Sequence, residues 1–313
     1  FFVIFISFFT FFIYNILPLS IKYRPFPAYF ECSKSENANK STYHKICQIF
    51  AYSKYTKFHI SFLSVDGDPY YDKYFFYSFD LIDKHLNINN PFQFNLTAIK
   101  NFIENLQIFI WVTDFLHMMK NYRSKLLTNK TIINPFYDGM PIDSSKIELI
   151  LNLGDALTKD NSISKLRDCY ALNIYTISNS LKIFYESSPE SFFLFIIFSI
   201  WNEALLNTNF TNQTRMYFLS TLLFVFYNYK IFLDNIQLPS NIGINKKTDK
   251  KAMIFCNKRK QVRIINTLVS QLFCLTLEDP TIGLDRDGSH PTENMIGHIR
   301  TICDNDNRWK VIR

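Results

Sequence analysis

The stretch QIFIWVTDFLHMMKNYRSKLL, residues 107–127, changes its apolar period halfway along. Its first part is a short, nearly continuous apolar run that is typical of a buried central strand, and the run ends at Asp114. From there Phe115, Met119, Tyr122 and Leu126 recur at helical spacing and share one face. The stretch therefore predicts a buried strand that passes directly into an amphipathic helix, with a carboxylate at the junction.

Basic and polar side chains lie outside the apolar stripe of this predicted helix. His117, Lys120 and Arg123 are placed there by the helical period. We expect them to support a site or to contact phosphate groups rather than to act as acids or bases. Packing or simple solvation is the alternative for all three.

A second carboxylate follows an earlier predicted strand. The run FHISFLSVDGD, residues 58–68, is rich in β-branched and aromatic residues and ends in an acidic turn that contains Asp66 and Asp68. Residues 72–82, DKYFFYSFDLI, predict a second strand that would complete a hairpin. Asp66 is the preferred candidate, although the sequence alone does not choose between it and Asp68.

Much of the remaining chain has helical character. Residues 97–106 have helical spacing, and residues 143–280 read as mostly helical, with apolar stretches at 146–157, 178–186, 191–206, 216–233 and 262–277. Eight Lys or Arg residues fall within 246–263, beside a predicted linker. A solvated basic loop is one interpretation of this patch, and contact with DNA phosphates or nuclear import are the alternatives.

The segment GLDRDGSHPTENMIGHIR, residues 283–300, carries the third acidic candidate. Pro291 suits the first turn of a helix, so Glu293 is predicted near the start of a late helix. A structural alternative is that Glu293 only stabilises the helix N-terminus through the dipole. Asp285 and Asp287 are further acidic candidates in the same segment.

This order of features resembles the DDE transposases of the RNase H-like superfamily, and more specifically the P-element type. Asp114, His117, Lys120, Arg123 and Leu126 match the family pattern D-x-x-H-x-x-K-x-x-R-x-x-L. Glu293, Asn294, Ile299 and Arg300 match the late family segment, which the chain departs from at His290. Residues 58–313 are also similar to transposon-derived proteins of protists.

The resemblance implies a fold, a reaction and a set of ligands. The implied class is α/β or α+β, an RNase H-like mixed sheet flanked by helices, with a large all-helical insertion between the second Asp and the Glu. The expected segments are an apolar and irregular 1–57, a first part of the core at 58–134, the helical insertion at 135–280 and a last part of the core at 281–313.

Catalysis by such a protein implies two Mg²⁺ or Mn²⁺ ions held by Asp66, Asp114 and Glu293, with Arg300 as a support or DNA contact. The implied partner is DNA at transposon ends, the implied assembly is a homo-oligomer, and the implied location is the nucleus. A decayed relative that binds DNA or has no function is the alternative, and the lack of an initial Met also suggests a fragment.

Composition and the first residues leave a third possibility. With 48% hydrophobic and 19% charged residues the chain has material for a large core, and a net charge of +7 favours an anionic partner. The six cysteines have no zinc-ligand spacing. Residues 1–17 are nearly all apolar, so they predict either a membrane anchor or a buried segment, and a bias in composition is a further explanation.

Overall fold

A computed structural model of the chain describes residues 2–8, 11–18, 26–32, 47–48, 51, 60–65, 71–86, 88, 95–105, 109–128, 131–133, 141–152, 168–186, 189–235 and 257–277. The strands are β1 Phe2–Phe8, β2 Phe11–Pro18, β3 Phe26–Cys32, β4 Ile60–Val65, β5 Ile110–Thr113, β6 Thr131–Ile133 and β7 Pro141–Asp143. The helices are α1 Asp72–Leu86, α2 Leu96–Glu104, α3 Phe115–Thr128, α4 Ser144–Leu151, α5 Asp168–Ile174, α6 Ile177–Glu186, α7 Pro189–Leu206, α8 Asn212–Asn235 and α9 Lys258–Thr276.

Two sheets are formed by these strands. The larger one has the order β3-β2-β1-β4-β5, in which β1 pairs antiparallel with β2 and β2 pairs antiparallel with β3. Strand β4 runs parallel to both of its neighbours, β1 and β5. The smaller sheet is the antiparallel pair β6 and β7. Strands β4 and β5 therefore end at the same edge.

Helix α9, rather than a sheet, is the centre of the core. Every residue from 261 to 275 is buried, and α8, α1, α2 and β5 pack around it. The parallel strands β4 and β5 are the strands whose side chains are described through most of their length, and both contribute to this core. The predicted fold class, an RNase H-like mixed sheet flanked by helices, is thus wrong, because the described protein is mostly helical and organised around a helix.

The predicted hairpin is also wrong, since residues 72–82 belong to helix α1 and not to a second strand. Its aromatic residues suggested a strand, but the buried positions Phe75, Ser78, Phe79, Ile82 and Leu86 recur every three or four residues and form one helical face. Asp72 in the first turn and Lys84 and His85 in the last turn also complement the helix dipole.

Other predicted elements are confirmed. Strands β4 and β5 lie in the predicted runs, helix α3 follows Asp114 at once, and its predicted apolar stripe is buried. Helices α2, α6, α7, α8 and α9 occupy most of the stretches with predicted helical spacing, and α4 occupies the first part of 146–157, of which 153–157 lie outside the described residues.

The first residues of the chain are extended. Strands β1 and β2 occupy most of residues 1–17. The sequence predicted either a membrane anchor or a buried segment for these residues. Across the ranges given above, no helix has the length and apolar character needed to cross a membrane.

Candidate functional site

The candidate site lies at the edge of the sheet where the parallel strands β4 and β5 end. Val65 and Thr113 are paired in register as the last residues of the two strands. Asp114 follows Thr113 and is described, whereas Asp66, which follows Val65 in the sequence, lies outside the described residues. Carboxyl ends of parallel strands are a common place for ligands in sheets of this kind.

Asp114 joins strand β5 to helix α3. Its Oδ1 accepts a hydrogen bond of 3.0 Å from the Leu116 backbone N–H, and its carbonyl accepts one of 3.0 Å from Met118. Aspartate is a preferred residue at this position because its side chain satisfies an N–H group that has no partner within the helix. The residue is 1% exposed, and a buried carboxylate needs hydrogen bonds. The bond from the Leu116 N–H supplies part of them.

The end of β5 is fixed by helix α9. The Thr113 N–H donates to Thr267 Oγ1 over 3.1 Å, and the Thr267 hydroxyl donates to the Thr113 carbonyl over 3.1 Å. The preceding residue of α9, Asn266, donates its amide to the carbonyls of Trp111 and Phe75, both over 3.0 Å. Two consecutive polar residues of α9 thus hold the strand that positions Asp114.

The first turns of α9 are strongly basic and close to the same region. Asn257 caps the helix by accepting a hydrogen bond from the Lys260 N–H over 3.1 Å. Asp72, at the start of α1, accepts a 2.6 Å contact from Arg263 and also forms an ion pair with Arg259. The Asp72 carboxylate therefore forms ion pairs with two guanidinium groups.

Burial and the Asp72 carboxylate change the pKa of Arg263 in opposite directions. Burial lowers the pKa of its guanidinium, while the Asp72 carboxylate favours the charged form and opposes that change. Arginine remains protonated in proteins, so the group keeps its charge beneath the surface. Its guanidinium carbon also lies 4.7 Å from the centre of the Phe75 ring, which favours the cation further.

A small cleft opens between β5, α3 and α9. It has a volume of about 30 Å³ and is lined by Thr113, Met118, Asn121, Tyr122, Lys260 and Arg263. Lys260 Nζ lies 4.9 Å from the centre of the Tyr122 ring. At the end of β5 the cleft is therefore lined by two cationic residues and by three neutral polar ones, Thr113, Asn121 and Tyr122.

The three basic residues predicted on helix α3 differ in burial. His117 and Lys120 are half-buried, whereas Arg123 is 1% exposed. Arg123 is close enough to Tyr175 to influence it: burial raises the pKa of the Tyr175 hydroxyl, and the positive charge of Arg123 partly opposes that change. Support of the site and contact with phosphate both stay predictions for Arg123.

Several predicted residues lie outside the described ranges. These are Asp66, Asp68, Asp285, Asp287, Glu293 and Arg300. Within the described ranges, no group of three His, Cys, Asp or Glu side chains could hold a metal ion. The described residues thus contain one member of the predicted carboxylate set, Asp114.

Other residues of the site were not found from the sequence. The sequence predicted a strand at Asp72. It placed Arg263 in a basic patch but indicated no partner for it. Thr113 and Thr267 are 154 positions apart, so no local pattern connects them. The usable signal was the basic run NKRKQVR, residues 257–263, which carries Lys260 and Arg263 into the site.

Comparisons of the chain with protein-family models, curated proteins and solved structures find no match. Function is therefore inferred from the residues and their geometry.

Proposed function

We propose that the chain is a transposase-like protein that cleaves and joins DNA strands with two divalent metal ions, Mg²⁺ or Mn²⁺. The observation that carries the proposal is the register of β4 and β5. Their paired last residues, Val65 and Thr113, are each followed in the sequence by an aspartate. Since each aspartate is one Cα spacing, about 3.8 Å, beyond the end of its strand, the proposal is that both act at this sheet edge.

The donor set suits hard cations. Carboxylate oxygens are the ligands that Mg²⁺ and Mn²⁺ prefer, so Asp66 and Asp114 would hold the ions and Glu293 would complete the set. When bound, such a pair of ions activates a water or a 3′-hydroxyl and stabilises the leaving oxygen. The basic residues at the start of α9 would hold the anionic backbone against these carboxylates.

The proposed partner is DNA at transposon ends, and a nuclear location follows from that substrate. A homo-oligomer is the proposed active assembly.

The test is cleavage of labelled transposon-end DNA by the purified chain in Mn²⁺. Asp114→Asn retains the helix cap and removes the charge, since asparagine caps as well as aspartate. We expect a fall in cleavage rate of about a hundredfold or more, because a metal ion contributes several kcal/mol of transition-state stabilisation. Asp80→Asn, at an exposed position of α1, is the matched control and should cleave normally.

A second candidate is a decayed relative that binds DNA without cutting it. It is favoured by the burial of Asp114 and by its hydrogen bond to Leu116, because a capping role explains that carboxylate without a metal ion. Wild-type protein that binds DNA but does not cleave it in Mn²⁺ would support this candidate. Cleavage that Asp114→Asn leaves intact would contradict the metal site proposed above.

A further inference from the structure

Helix α8 has apolar residues on two opposite faces. Its inner face packs on α9 and α7, and the buried residues there include Leu219, Leu222, Leu223 and Phe226. Its outer face is exposed and carries Tyr217, Thr221, Phe224, Asn228 and Ile231. A helix that is apolar on all sides is normally covered on all sides, so the outer face of α8 is suited to a further contact.

The five residues of the outer face, which we call the α8 seam, follow one another at intervals of four, three, four and three residues. This spacing averages 3.5 residues and lets one helix pack along another, here over about 21 Å. The first, third and fifth residues are apolar or aromatic, and the second and fourth are Thr221 and Asn228. The pattern is therefore the same from either end, with Phe224 at its centre.

This symmetry makes the seam complementary to itself. A two-fold interface brings the same surface of both copies together. If a second α8 lies along the seam, apolar residues face apolar ones and polar residues face polar ones, whether the two helices run parallel or antiparallel. In both arrangements Phe224 of one copy faces Phe224 of the other.

The two polar residues of the seam are hydrogen-bonded within α8. The Thr221 hydroxyl donates to the Tyr217 carbonyl over 2.9 Å, and the Asn228 amide donates to the Phe224 carbonyl over 2.9 Å. Burial of a polar group is less costly when the group keeps a hydrogen bond. Both residues can therefore enter an interface at a small cost in free energy.

The absence of charge from the seam limits what it can bind. Arg215 and Lys230 are the charged residues among 212–231, the part of α8 whose side chains are described. Arg215 donates to the Ala204 carbonyl of α7, and Lys230 Nζ lies 4.6 Å from the centre of the Phe79 ring in α1, so neither belongs to the seam. DNA and anionic membranes are bound mainly through Lys and Arg. A second copy of a neutral surface, in contrast, meets no like charge.

We propose that the α8 seam binds the α8 seam of a second copy of this chain. A stable complex buries roughly 800 Å² on each partner, and five partly exposed side chains provide less, so the dimer is a weak one with a dissociation constant of roughly tens of micromolar. Assigning this dimer to the homo-oligomer that cleaves DNA rests on the function proposed above, whereas the association itself is independent of it.

Sedimentation equilibrium of the full chain in EDTA, without DNA, measures the association. The mean mass of the wild type should rise from that of one chain toward that of two between about 5 and about 300 μM. Phe224→Glu places two carboxylates face to face at the centre of the seam and should weaken association at least about thirtyfold. Phe184→Glu, on α6, is the matched control, since Phe184 is 49% exposed and Phe224 is 37% exposed, and it should associate normally.

A mixture of two variants separates loss of the contact from loss of the fold. Phe224→Lys alone should also fail to associate, because like charges meet. Mixed in equal amounts, Phe224→Glu and Phe224→Lys should form a one-to-one dimer, because opposite charges then meet at the centre of the seam. Misfolded variants would not regain association in this way. Two folded variants that stay monomeric when mixed would overturn the proposal.

A milder variant keeps the proposal testable if charge at position 224 disturbs folding. Tyr217 is 70% exposed, so Tyr217→Ser should leave the fold intact while weakening association about fivefold. Association by Tyr217→Ser that equals that of the wild type would show that the seam is not the contact.

Other results would assign the face differently. A wild type that stays a single chain at every concentration would contradict the proposal. Association that Phe184→Glu loses and Phe224→Glu keeps would place the contact on α6. If the wild type does not self-associate but binds vesicles of phosphatidylcholine and phosphatidylserine, and Phe224→Glu does not, the face is a membrane surface and the proposal is wrong.

The two proposals fail separately. Association of the wild type in EDTA without cleavage in Mn²⁺ would contradict the catalytic proposal and leave the seam intact. Cleavage by a wild type that stays a single chain would contradict the seam and leave the catalytic proposal intact.

Discussion

Helix α7 is the more apolar of two helices that meet at Trp201 and Gln271, yet helix α9 is the more deeply buried. Phe193 and Leu206 of α7 are 41% and 42% exposed. In α9, by contrast, all residues from 261 to 275 are buried, although several are polar. Apolar content therefore does not determine which helix occupies the centre of this protein.

The polar residues of α9 account for its position. Gln261 donates to the Phe226 carbonyl in α8, and the Gln271 side chain accepts a 2.9 Å hydrogen bond from the Trp201 indole in α7. Between these two, Asn266 and Thr267 bind α1 and β5. Together these buried polar groups bond to four neighbouring elements, α8, α7, α1 and β5, so the hydrogen bonds in the interior specify how those elements pack on α9.

The largest expected change in stability comes from comparing a buried residue of α7 with an exposed one. Trp201 is fully buried, with ring contacts to Phe115 at 5.2 Å and to Phe226 at 6.0 Å. Trp201→Ala should lower the free energy of unfolding by about 3–5 kcal/mol, since it leaves a large cavity and removes the bond to Gln271. Phe193→Ala, on the same helix, should cost under about 1 kcal/mol. Urea denaturation measures both, and equal losses would contradict the comparison.

The second prediction compares two asparagines in helices α9 and α8. Asn266→Ala removes hydrogen bonds to two buried carbonyls and should destabilise the protein by about 2–3 kcal/mol. Asn228 donates a comparable 2.9 Å bond to the Phe224 carbonyl but is exposed, so Asn228→Ala should change stability by less than about 0.5 kcal/mol. The same denaturation experiment checks this pair, and a small effect of Asn266→Ala would mean that α9 is not held by its polar residues.

The smallest expected effect concerns helix α8, which packs on α9. Tyr227 donates a hydrogen bond to the Asp83 carboxylate of α1. Burial and this bond raise the pKa of Tyr227 well above its ordinary value of 10.0. Folding then favours the protonated tyrosine, so its contribution to stability is complete below about pH 10 and falls as the pH rises toward the folded-state pKa.

Tyr227→Phe should therefore be mildly destabilising at pH 7, by about 1 kcal/mol for one lost hydrogen bond. The difference from the wild type should shrink above pH 10, because phenylalanine has no proton to lose in the unfolded state. Thermal unfolding at pH 7, 9 and 10.5 measures the trend. A difference that stays constant with pH would show that Tyr227 does not titrate as described.

Sequence patterns predicted the parts of the site that depend on neighbours along the chain. The change of period at Asp114 identified strand β5 and helix α3, because one buried stripe of a helix repeats locally. Helix α1 was missed because its aromatic residues favour a strand when no partner is known, and only packing against α9 selects the helical face. Arg123 was predicted to lie outside the apolar stripe, but the structure buries it, and its charge influences Tyr175, which lies 52 positions further along the chain.

The sequence by itself determined where a carboxylate follows a buried strand, where a basic run begins, and, with the exception of α1, where the main helices lie. These properties depend on local spacing, which the chain carries at every point. The tertiary structure alone decided that α9 is central, that Val65 and Thr113 share an edge, and that Lys260 and Arg263 line a cleft with Thr113. Each of those facts requires residues far apart in the chain to meet, and such contacts are selected by the packing of the whole core rather than by any local pattern.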